Sequence, residues 1–590
     1  MDGFAPLGRY GFLGDNHAGA LVAADGAVDW FAPRMDGPPV CAALLDPEAG
    51  GSVTLRPTVP YDAEQRYLPA TMVLETTFRC AGSVVRVTDS LNRATGGPLP
   101  WAELARRVEV TGEPVPMRWT VQPGHLLGTG RPWLEERDGI PLVHAGPVLV
   151  ATVTDGIGTP EVHGSSLRGR FTARSGETGL LAVVATETQP LTIPDPPTVQ
   201  HRIDRTIDFW RHWCDEVGFE GPYLDAVRRS ALVLRSLMLS PYDGLLAALT
   251  TSLPERRGGD RNFDYRFGWV RDASFTLDAM SELDLTQEVE AALTWLLRAV
   301  RTTTPQVRPL YTLQGHVASA DTDELDHLPG YRGSLPVRVG NAAADQQQLG
   351  SCGDLLDAVW RFCHRHGVLD PDNAVALAGV VDMICDVWRS KDSGIWELPE
   401  QAHYTISKIG CWVALDRGVR LAEAGHLTTA QLVRWRAERD AVHEWVDDHC
   451  WSAAKRSYTI HAGTDELDAA VLLAARTGFL AGDDPRLSST IDAIRAELTA
   501  KGPLLYRCSG MVGQEGAFVA CTFWMVEALA LAGRRREAEE LMQEALEYAG
   551  ETGIFSEEID PTSGELLGNL PQGLSHLALI GAAKALRSRA

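Results

Sequence analysis

The sequence predicts an N-terminal antiparallel β-sandwich followed by a ring of paired helices, an α/α toroid. Three observations support this prediction. The chain has 590 residues, more than one hydrophobic core accommodates, so two or three domains are expected. Short segments with strand-like alternation fill the region up to about residue 190. Segments with helical periodicity fill nearly everything after about residue 199.

The strand-like region runs from Gly51 to about Pro190. Its segments are GSVTLRP, TMVLETTFRC, SVVRVTDS, RRVEVTG, MRWTVQP, VLVATVTDG and LLAVVATET. Several short strands separated by turn residues favour an antiparallel sandwich. In the preceding segment, Asp25-Gly26 lies between two apolar runs, which predicts a hairpin joined to the same sheet. We place this domain at residues 1–198.

A helical period replaces the strand pattern near Val199 and predicts about eleven or twelve helices from Tyr223 onward. We interpret residues 199–222 as a helical linker and residues 223–590 as the toroid. The connections between helices are long and rich in Gly, Pro, aromatic and acidic residues, which is typical of a scaffold that presents loops. Without strand–helix alternation, doubly wound sheets and TIM barrels are excluded. A solenoid is the competing interpretation, but no fixed repeat supports it.

Composition narrows the classes of function. No apolar run reaches the roughly 18 residues of a membrane span, and the opening residues do not resemble a secretory signal, so we expect a cytoplasmic protein. A net charge of −24 disfavours nucleic acid, and a neutral ligand fits better. Ten scattered cysteines predict reduced, buried thiols. Oligomeric state is not readable, although a homo-oligomer is compatible with the sequence.

Motifs for other chemistries are missing. HEWVD at His443 lacks the second histidine of a zinc protease, and CHRHG at Cys363 has no partner cluster. The sequence contains neither GxxxxGK[ST] nor GxSxG. We therefore expect no metal and no organic cofactor.

The stretch GDRNFDYRFGWVRDASFTL, residues 260–278, concentrates aromatic rings beside charges. Tyr265, Phe267 and Trp269 precede Arg271 and Asp272. A sugar offers apolar CH faces and a rim of hydroxyls, so a sugar site needs flat rings beside fixed hydrogen-bonding groups. An aromatic patch with charges facing solvent is the alternative interpretation.

Two further loops supply carboxylates. In DSGIWELPEQAHYTISK, residues 392–408, Glu397 follows Trp396, and in residues 552–576 Glu557 and Glu558 lie between helical segments. An acid beside an apolar ring can have a raised pKa, as a proton donor requires. Two carboxylates from separate loops are what glycoside hydrolysis needs. A solvent-exposed acid, or a solvated acidic turn, explains either loop taken alone.

The loops at residues 327–350 and 504–518 carry side chains suited to binding hydroxyl groups. These side chains are Arg338, Asn341, Gln346, Gln348 and Arg507. For any single one of them, an ordinary role in loop structure is the alternative.

Several blocks of the sequence resemble, in order, the motifs of glycoside hydrolase family 15, the glucoamylase and bacterial trehalase group. The blocks are NFDYRFGWVRDASFTL, SLPVRVGNAAADQQQL, GIWELPEQAHYTISKIGCWVALDR, CTFWMVEAL and FSEEIDPTSGELLGNLPQGLSHLALI. The opening GFLGDNHAGALVAADGAVDWFAPR, with AALLDPEAGG after it, resembles the trehalase-like N-terminal domain of bacterial members. The resemblance covers nearly the whole chain.

This resemblance implies a β-sandwich followed by an (α/α)6 barrel, and hydrolysis with inversion at the anomeric carbon. The tryptophan-glutamate motif of the family makes Glu397 the general acid, and its S-E-x-x-D motif makes Glu557 the general base. Glu558, next to the base, would point elsewhere or tune its charge, and we include it among the candidate substrate-binding residues.

The same resemblance assigns the pocket for the terminal glucose. The family's W-x-R-D motif, from Trp269 to Asp272, implies that Arg271 and Asp272 hold sugar hydroxyls. The remaining candidates for substrate binding are Tyr265, Trp396, Arg507 and Arg338.

The sequence departs from the family pattern at two places. Leu398-Pro399-Glu400 and Ala402-His403-Tyr404 follow the tryptophan-glutamate motif where many relatives carry V-R-G and R-H-F. Cys352-Gly353-Asp354 stands where relatives often show Y-G-E. Both changes are expected on the leaving-group side, so they affect substrate identity and leave the reaction type intact.

The resemblance implies an exo-acting, inverting α-glucoside hydrolase that releases glucose from a non-reducing end. Trehalose is the preferred substrate because of the N-terminal domain and the expected location. Maltooligosaccharides or another short α-glucoside are the first alternative. A phosphorylase, which needs only one carboxylate, and a non-catalytic sugar-binding protein are alternatives from other classes.

Overall fold

A computed structural model describes residues 4–128, 130–187, 191–365 and 367–587. Two antiparallel sheets form the N-terminal part, and paired helices form the rest. The predicted fold class is therefore confirmed.

Each N-terminal sheet has eight strands. The first has the order Tyr10–Gly14, Gly19–Ala23, Ala27–Ala32, Gly51–Pro57, Val115–Pro123, Ser166–Ala173 and Glu161–His163, with Cys41–Ala42 on its third strand. The second has the order Trp133–Arg137, Ile140–Ala145, Val148–Asp155, Thr178–Thr186, Ala102–Gly112, Ser83–Leu91, Leu74–Cys80 and Asp62–Tyr67. The predicted hairpin at Asp25-Gly26 is confirmed, and Gly26 takes the left-handed φ of +81° that its turn requires.

A buried arginine of the second sheet links the two sheets. Strand Gly51–Pro57 alternates buried and partly exposed residues, as expected when one face covers a core. Arg106, on the second sheet, forms a fully buried salt bridge with Asp89, at 2.7 Å between Nε and Oδ1. Its Nη1 also donates to the carbonyl of Gly26, at 2.8 Å, on the first sheet. The buried guanidinium therefore has partners on both sheets, which compensates for its lost hydration.

Thirteen α-helices follow among the described residues. They are α1 Pro196–Asp215, α2 Leu224–Leu237, α3 Val270–Glu282, α4 Thr286–Arg301, α5 Gly350–Arg365, α6 Pro371–Val387, α7 Thr405–Glu423, α8 Leu432–His449, α9 Leu473–Thr477, α10 Pro485–Leu498, α11 Val519–Leu531, α12 Arg535–Leu546 and α13 Gly573–Arg587. A 3₁₀ turn, Ala469–Leu472, leads into α9. Helix α1 packs on strands of the sandwich. The proposed domain boundaries stay a prediction.

The other twelve helices form a double ring. Helices α3, α5, α7, α9, α11 and α13 contact one another in cyclic order, and the even-numbered helices from α2 to α12 pack around them. The inner helices are correspondingly apolar, as α11 is buried continuously from Val519 to Leu529. This arrangement is an (α/α)6 barrel.

Ion pairs inside the barrel link the inner helices to one another. Asp278 on α3 forms salt bridges with Arg361 on α5, at 3.0 Å, and with Arg476 on α9, at 2.7 Å. Lys584 on α13 approaches the same carboxylate at 3.4 Å. Burial alone would raise the pKa of Asp278, but Arg361 and Arg476 hold that pKa below its usual range. One ionised carboxylate therefore links four of the six inner helices.

The loop before each inner helix lies between an outer helix and the start of an inner one. These loops span residues 238–269, 302–349, 388–404, 450–468, 499–518 and 547–572. Every candidate residue from the sequence lies in one of these loops or in the first turn of the helix that follows. The amino ends of the inner helices, which carry partial positive charge, therefore face the candidate site.

Hydrogen bonds attach two of these loops to the sandwich. The backbone N–H of Ser240 donates to the carbonyl of Asn16 at 2.7 Å, and Arg266 Nη1 donates to the carbonyl of Gly37 at 3.0 Å. Gln314 Nε2 donates to the carboxylate of Asp36 at 2.6 Å. The loops before α3 and α5 are thus attached to the N-terminal domain.

No helix in the described part of the chain has both the length and the apolar character needed to cross a bilayer. All ten cysteines lie within the described residues as free thiols, and eight of them are buried. The sequence prediction of reduced, mostly buried thiols is confirmed.

Candidate active site

One cavity of about 780 Å³ opens where the inner-helix loops meet. Small-molecule sites typically measure about 300 to 1,000 Å³. The cavity brings together most of the candidate side chains from the sequence, namely Tyr265, Trp269, Arg271, Asp272, Arg338, Asn341, Gln346, Trp396, Glu397, Arg507 and Glu557. Glu558 and Gln348 do not line it, and Gln348 lines a smaller cavity inside the barrel. Loops far apart in the sequence therefore present these side chains to a common space.

Glu397 is held by hydrogen bonds at both its side chain and its backbone. Its Oε1 accepts a hydrogen bond from the indole N–H of Trp269 at 2.6 Å. Its backbone carbonyl accepts one from Gln346 Nε2 at 3.0 Å. The residue has a φ of 59°, a left-handed conformation that is costly for a residue with a Cβ. The two bonds help to maintain this strained conformation and fix the carboxyl group in the cavity.

The surroundings of Glu397 favour its protonated form. Burial raises the pKa of this carboxyl, while the charge of Arg271 and the bond from Trp269 lower it, and the net change is upward. A carboxyl whose pKa is raised keeps its proton to a higher pH than an exposed glutamate does. Glu397 is therefore suited to proton donation.

Glu557 lines the same cavity from the loop that precedes α13, and only 2% of it is exposed. Burial and the negative charge of Glu255 raise the pKa of Glu557 to about 8, while a hydrogen bond from Tyr265 and the charge of Arg507 act in the opposite direction. Gly568 packs against this side chain at a φ of +72°. The ionised form of Glu557 thus depends on Tyr265 and Arg507.

Three more carboxylates lie behind Glu557, around two arginines. Arg507 Nη2 contacts Glu255 Oε2 at 2.9 Å and Glu515 Oε2 at 2.5 Å. Arg261 Nε contacts the same two oxygens at 2.6 and 3.3 Å. Oxygens of Glu255, Glu515 and Glu558 lie within 4.8 Å of one another, close enough to share a cation. The cations at this cluster are the two guanidinium groups.

Glu558 belongs to this cluster and does not line the cavity. Its Oε2 accepts the backbone N–H of Gly516 at 2.8 Å, and the side chain is fully buried. Burial and the charges of Glu515 and Glu255 raise its pKa well above the usual range. A contact between Glu558 and substrate stays a prediction. The side chain points away from the cavity, as the alternative expectation from the sequence had it.

Arg271 and Asp272 occupy the first turn of α3 at the cavity floor. Arg271 Nε donates to Asp272 Oδ1 at 2.8 Å, and its Nη1 donates to the carbonyl of Ile395 at 3.2 Å. These bonds fix both polar groups before any ligand binds. Fixed donors and acceptors at a concave surface suit a ligand rich in hydroxyl groups.

Two pairs of aromatic rings line the cavity. The Tyr265 and Trp269 rings meet edge to face with centroids 5.5 Å apart. Trp396 packs against Phe518 at 5.2 Å, and the Arg507 guanidinium lies 5.5 Å from the Trp396 ring. The predicted combination of flat rings and charges is thus present around one space.

Arg338 lines the cavity with most of its donors already engaged. Its Nη1 donates to the carbonyls of Asp260 and Asn262, at 2.9 and 3.1 Å, and its Nε donates to Glu324 at 3.1 Å. The guanidinium therefore joins the loops before α3 and α5. A contact between Arg338 and substrate stays a prediction.

The two departures from the family pattern lie in different places. Leu398 and Pro399 line the main cavity. Asp354 instead lines a smaller cavity inside the barrel, which it shares with Arg271. Asp354 is carried on α5, below the loops, and the expectation that both departures lie on the leaving-group side stays a prediction.

Sequence reasoning missed Glu255, Glu515 and Asp468, which surround the predicted residues. Glu255 follows a proline in SLPER, Glu515 lies in the loop MVGQEGAF, and Asp468 lies in TDELDAA. None of them stands in a local pattern that separates a buried acid from a surface acid. The only signal was indirect, since the quoted loop at residues 504–518 contains Glu515.

Comparisons with known proteins cover the whole chain. A family model described as glycosyl hydrolases family 15 matches residues 221–541, and one described as trehalase-like, N-terminal matches residues 2–115. The trehalase of Mycolicibacterium smegmatis is 34% identical, covering 98% of this chain and 91% of the relative. The trehalase of Thermoplasma volcanium is 31% identical, covering 99% and 94%.

A solved structure shares the fold. The crystal structure of a bacterial glucoamylase complexed with acarbose aligns with a TM-score of 0.72 and 12% identity, covering 98% of this chain and 93% of that one. At this identity the alignment supports the architecture of sandwich and barrel.

Gly568→Ala should disturb Glu557 as well as the backbone. A Cβ at this position would lie 2.6 Å from Glu557 Cβ, so we expect the left-handed penalty of about 1–2 kcal/mol plus an overpacking cost of about 1–3 kcal/mol. Gly564→Ala is the matched control, because Gly564 has a φ of +77° but its nearest neighbour, Tyr548, would be 3.9 Å away. Chemical denaturation measures both losses, and equal losses would contradict close packing of Glu557.

Proposed function

The chain belongs to the glycosyl hydrolases of family 15, and from this membership we propose that it hydrolyses trehalose to glucose with inversion at the anomeric carbon. The observation that carries the choice of substrate is similarity to trehalases over 98% or more of the chain, with the N-terminal domain included. The glycosidase class itself follows from the family. The cavity supports this proposal, because two separate loops each contribute a carboxyl group to it.

In the proposed reaction Glu397 is the general acid. It protonates the glycosidic oxygen as the bond to the anomeric carbon breaks. Glu557 is the general base and removes a proton from a water molecule that attacks the opposite face of the sugar. Inverting enzymes hold the two carboxyl groups about 6.5–9.5 Å apart so that this water fits. The product glucose from the attacked ring has the β configuration.

The surrounding residues would hold the non-reducing glucose. Arg271 and Asp272 offer fixed hydrogen-bonding groups for hydroxyls, and Tyr265 and Trp396 offer flat surfaces for the CH faces of the ring. Trp269 would hold the Glu397 carboxyl in line with the leaving oxygen. Because these groups are held by protein contacts in the absence of ligand, little ordering is needed when sugar binds.

The substrate is tested by glucose release from trehalose, maltose, isomaltose and maltotriose, each with and without inorganic phosphate. We expect the highest kcat/KM for trehalose, with glucose as product in both conditions. Turnover of maltose with none of trehalose would replace this proposal by a glucoamylase-type activity. Glucose 1-phosphate formed only with phosphate would indicate a phosphorylase, and no turnover of any sugar would indicate a binding protein.

Glu397→Gln and Glu557→Gln should each lower kcat by about 10²- to 10⁴-fold, the usual contribution of a general acid or base. Glu400→Gln is the control, since this acid is exposed on the same loop as Glu397. In Glu557→Ala, sodium azide should restore part of the turnover and form β-glucosyl azide, because azide attacks without a base. Full activity in either glutamine variant would remove that residue from the mechanism.

Tyr265→Phe should move the acidic limb of the kcat/KM profile to higher pH. The base must be ionised, and the Tyr265 hydroxyl favours the ionised form of Glu557, whose pKa is already raised to about 8. Loss of this hydrogen bond raises that pKa further, so activity is lost earlier as the pH falls. We expect a shift of roughly one pH unit, equivalent to about 1.4 kcal/mol.

The control for this profile is Tyr61→Phe, a substitution on the sandwich, which should leave both limbs unchanged. The basic limb, which reports the general acid, should also stay in place in Tyr265→Phe. A downward shift of the acidic limb would contradict the proposed hydrogen bond.

A further inference from the structure

We propose that Asp468 is a positioning residue that fixes the Trp396 ring, and through it the neighbouring Glu397, for the reaction. The inference rests on the proposed function of this cavity. Asp468 is not among the described residues that line the cavity. It acts through the hydrogen bond that it accepts from Trp396.

The carboxylate of Asp468 receives two N–H groups on one oxygen. Its Oδ1 accepts the indole N–H of Trp396 at 2.8 Å and the backbone N–H of Ala470 at 2.8 Å. Ala470 lies in the 3₁₀ turn that leads into inner helix α9. The position of Oδ1 is therefore set by the barrel wall, which is more rigid than a loop.

The segment around Asp468 is also joined to the loop that carries Arg507. The backbone N–H of Ala469 donates to the carbonyl of Arg507 at 2.8 Å, and that of Ser509 donates to the carbonyl of Leu467 at 3.0 Å. Asp468 and Cys508 form an antiparallel bridge. The carboxylate and the backbone of this segment thus connect the loops before α7, α9 and α11, and the first and third of these loops line the cavity beside Trp396.

Among the described contacts of the Trp396 ring, the hydrogen bond to Asp468 is the one that fixes its rotation. Phe518 and Trp524 pack against the ring at 5.2 and 5.9 Å, but aromatic contacts tolerate small rotations. The next residue, Glu397, has the strained φ of 59°. Movement of Trp396 would therefore pass directly to the carboxyl that gives up the proton.

If Asp468 only capped the turn before α9, it would need the bond to Ala470 but not the bond to Trp396. Asp468 is fully buried, and its Oδ2 has no hydrogen-bond partner within the described part of the chain. Burial raises the pKa of Asp468 to about 7, although the N–H groups of Ala470 and Trp396 lower it. Because the role needs an acceptor at Oδ1 and not a charge, asparagine should replace aspartate here.

The test compares Asp468→Ala with Asp468→Asn, using trehalose turnover and glucose binding followed by tryptophan fluorescence. We expect Asp468→Ala to lower kcat/KM roughly 10- to 100-fold, with a fall in kcat, and to weaken glucose binding, because a buried donor loses its partner. Asp468→Asn should stay within about threefold of the wild type. In a Trp396→Phe background, which lacks the indole N–H, Asp468→Ala should cost less than about threefold.

The matched control is Asp370→Ala. Asp370 caps the outer helix α6 through the N–H groups of Asp372 and Asn373, far from the cavity loops. This variant should lower the melting temperature and leave kcat/KM unchanged. The same pattern in Asp468→Ala would reduce Asp468 to a simple cap and overturn the proposal.

Two other outcomes would also overturn it. If Asp468→Asn is as slow as Asp468→Ala, the charge matters and the acceptor does not. If the loss in the Trp396→Phe background is as large as in the wild type, Asp468 does not act through Trp396. A wild-type chain without turnover would contradict the proposed function instead, and the glucose affinities of the same variants would then decide the positioning role.

Discussion

The closed ring of inner helices is the constraint on which the rest of the structure depends. Six helices can form a ring only if each returns to the same end of the barrel through an outer helix, and this return places six loops together. The ion cluster around Asp278 fixes the ring from inside, because its partners come from α5, α9 and α13. Without this closure, Glu397 and Glu557, 160 positions apart (557 − 397), would have no reason to share a cavity.

The two carboxyl groups at the cavity are stabilised by different means. Glu397 is held by two neutral donors, the indole of Trp269 and the amide of Gln346, while the charge of Arg271 favours its ionised form. Glu557 lies beside a buried cluster in which the carboxylates of Glu255, Glu515 and Glu558 face only two guanidinium groups, Arg261 and Arg507. Its charge is therefore set by a balance of like and opposite charges behind the cavity wall.

The sequence was sufficient for the architecture and for most of the cavity. Before residue 190 apolar and polar residues alternate, and after residue 199 apolar residues recur with helical periodicity. Each pattern arises because one face of an element is buried, and it can be recognised from a short segment alone. Tyr265 and Trp269 could be selected because an unusual cluster of rings and charges marks them within a few positions, whereas Trp396 and Glu397 offered only one acid beside one ring. Their roles came from resemblance to a family and not from the pattern itself.

Partners contributed by distant loops could not be read in the same way. Asp468 stands among several acids in TDELD, and nothing local indicates that it alone is buried against Trp396. Glu558 was grouped with substrate contacts because it follows Glu557, but in a strand neighbouring side chains point to opposite faces. The short strand Glu558–Ile559 turns its carboxylate toward Gly516 and away from the cavity.

In an inverting cycle the acid loses a proton and the base gains one, so the enzyme must be reset before the next substrate. Glu397 and Glu557 meet this requirement in similar surroundings, because burial raises the pKa of both carboxyl groups. Arg271 and the indole of Trp269 oppose this effect at the acid, and Tyr265 and Arg507 oppose it at the base. The pKa of Glu557 still rises to about 8, so the two roles follow from where each carboxyl group stands relative to the sugar and not from a difference in burial.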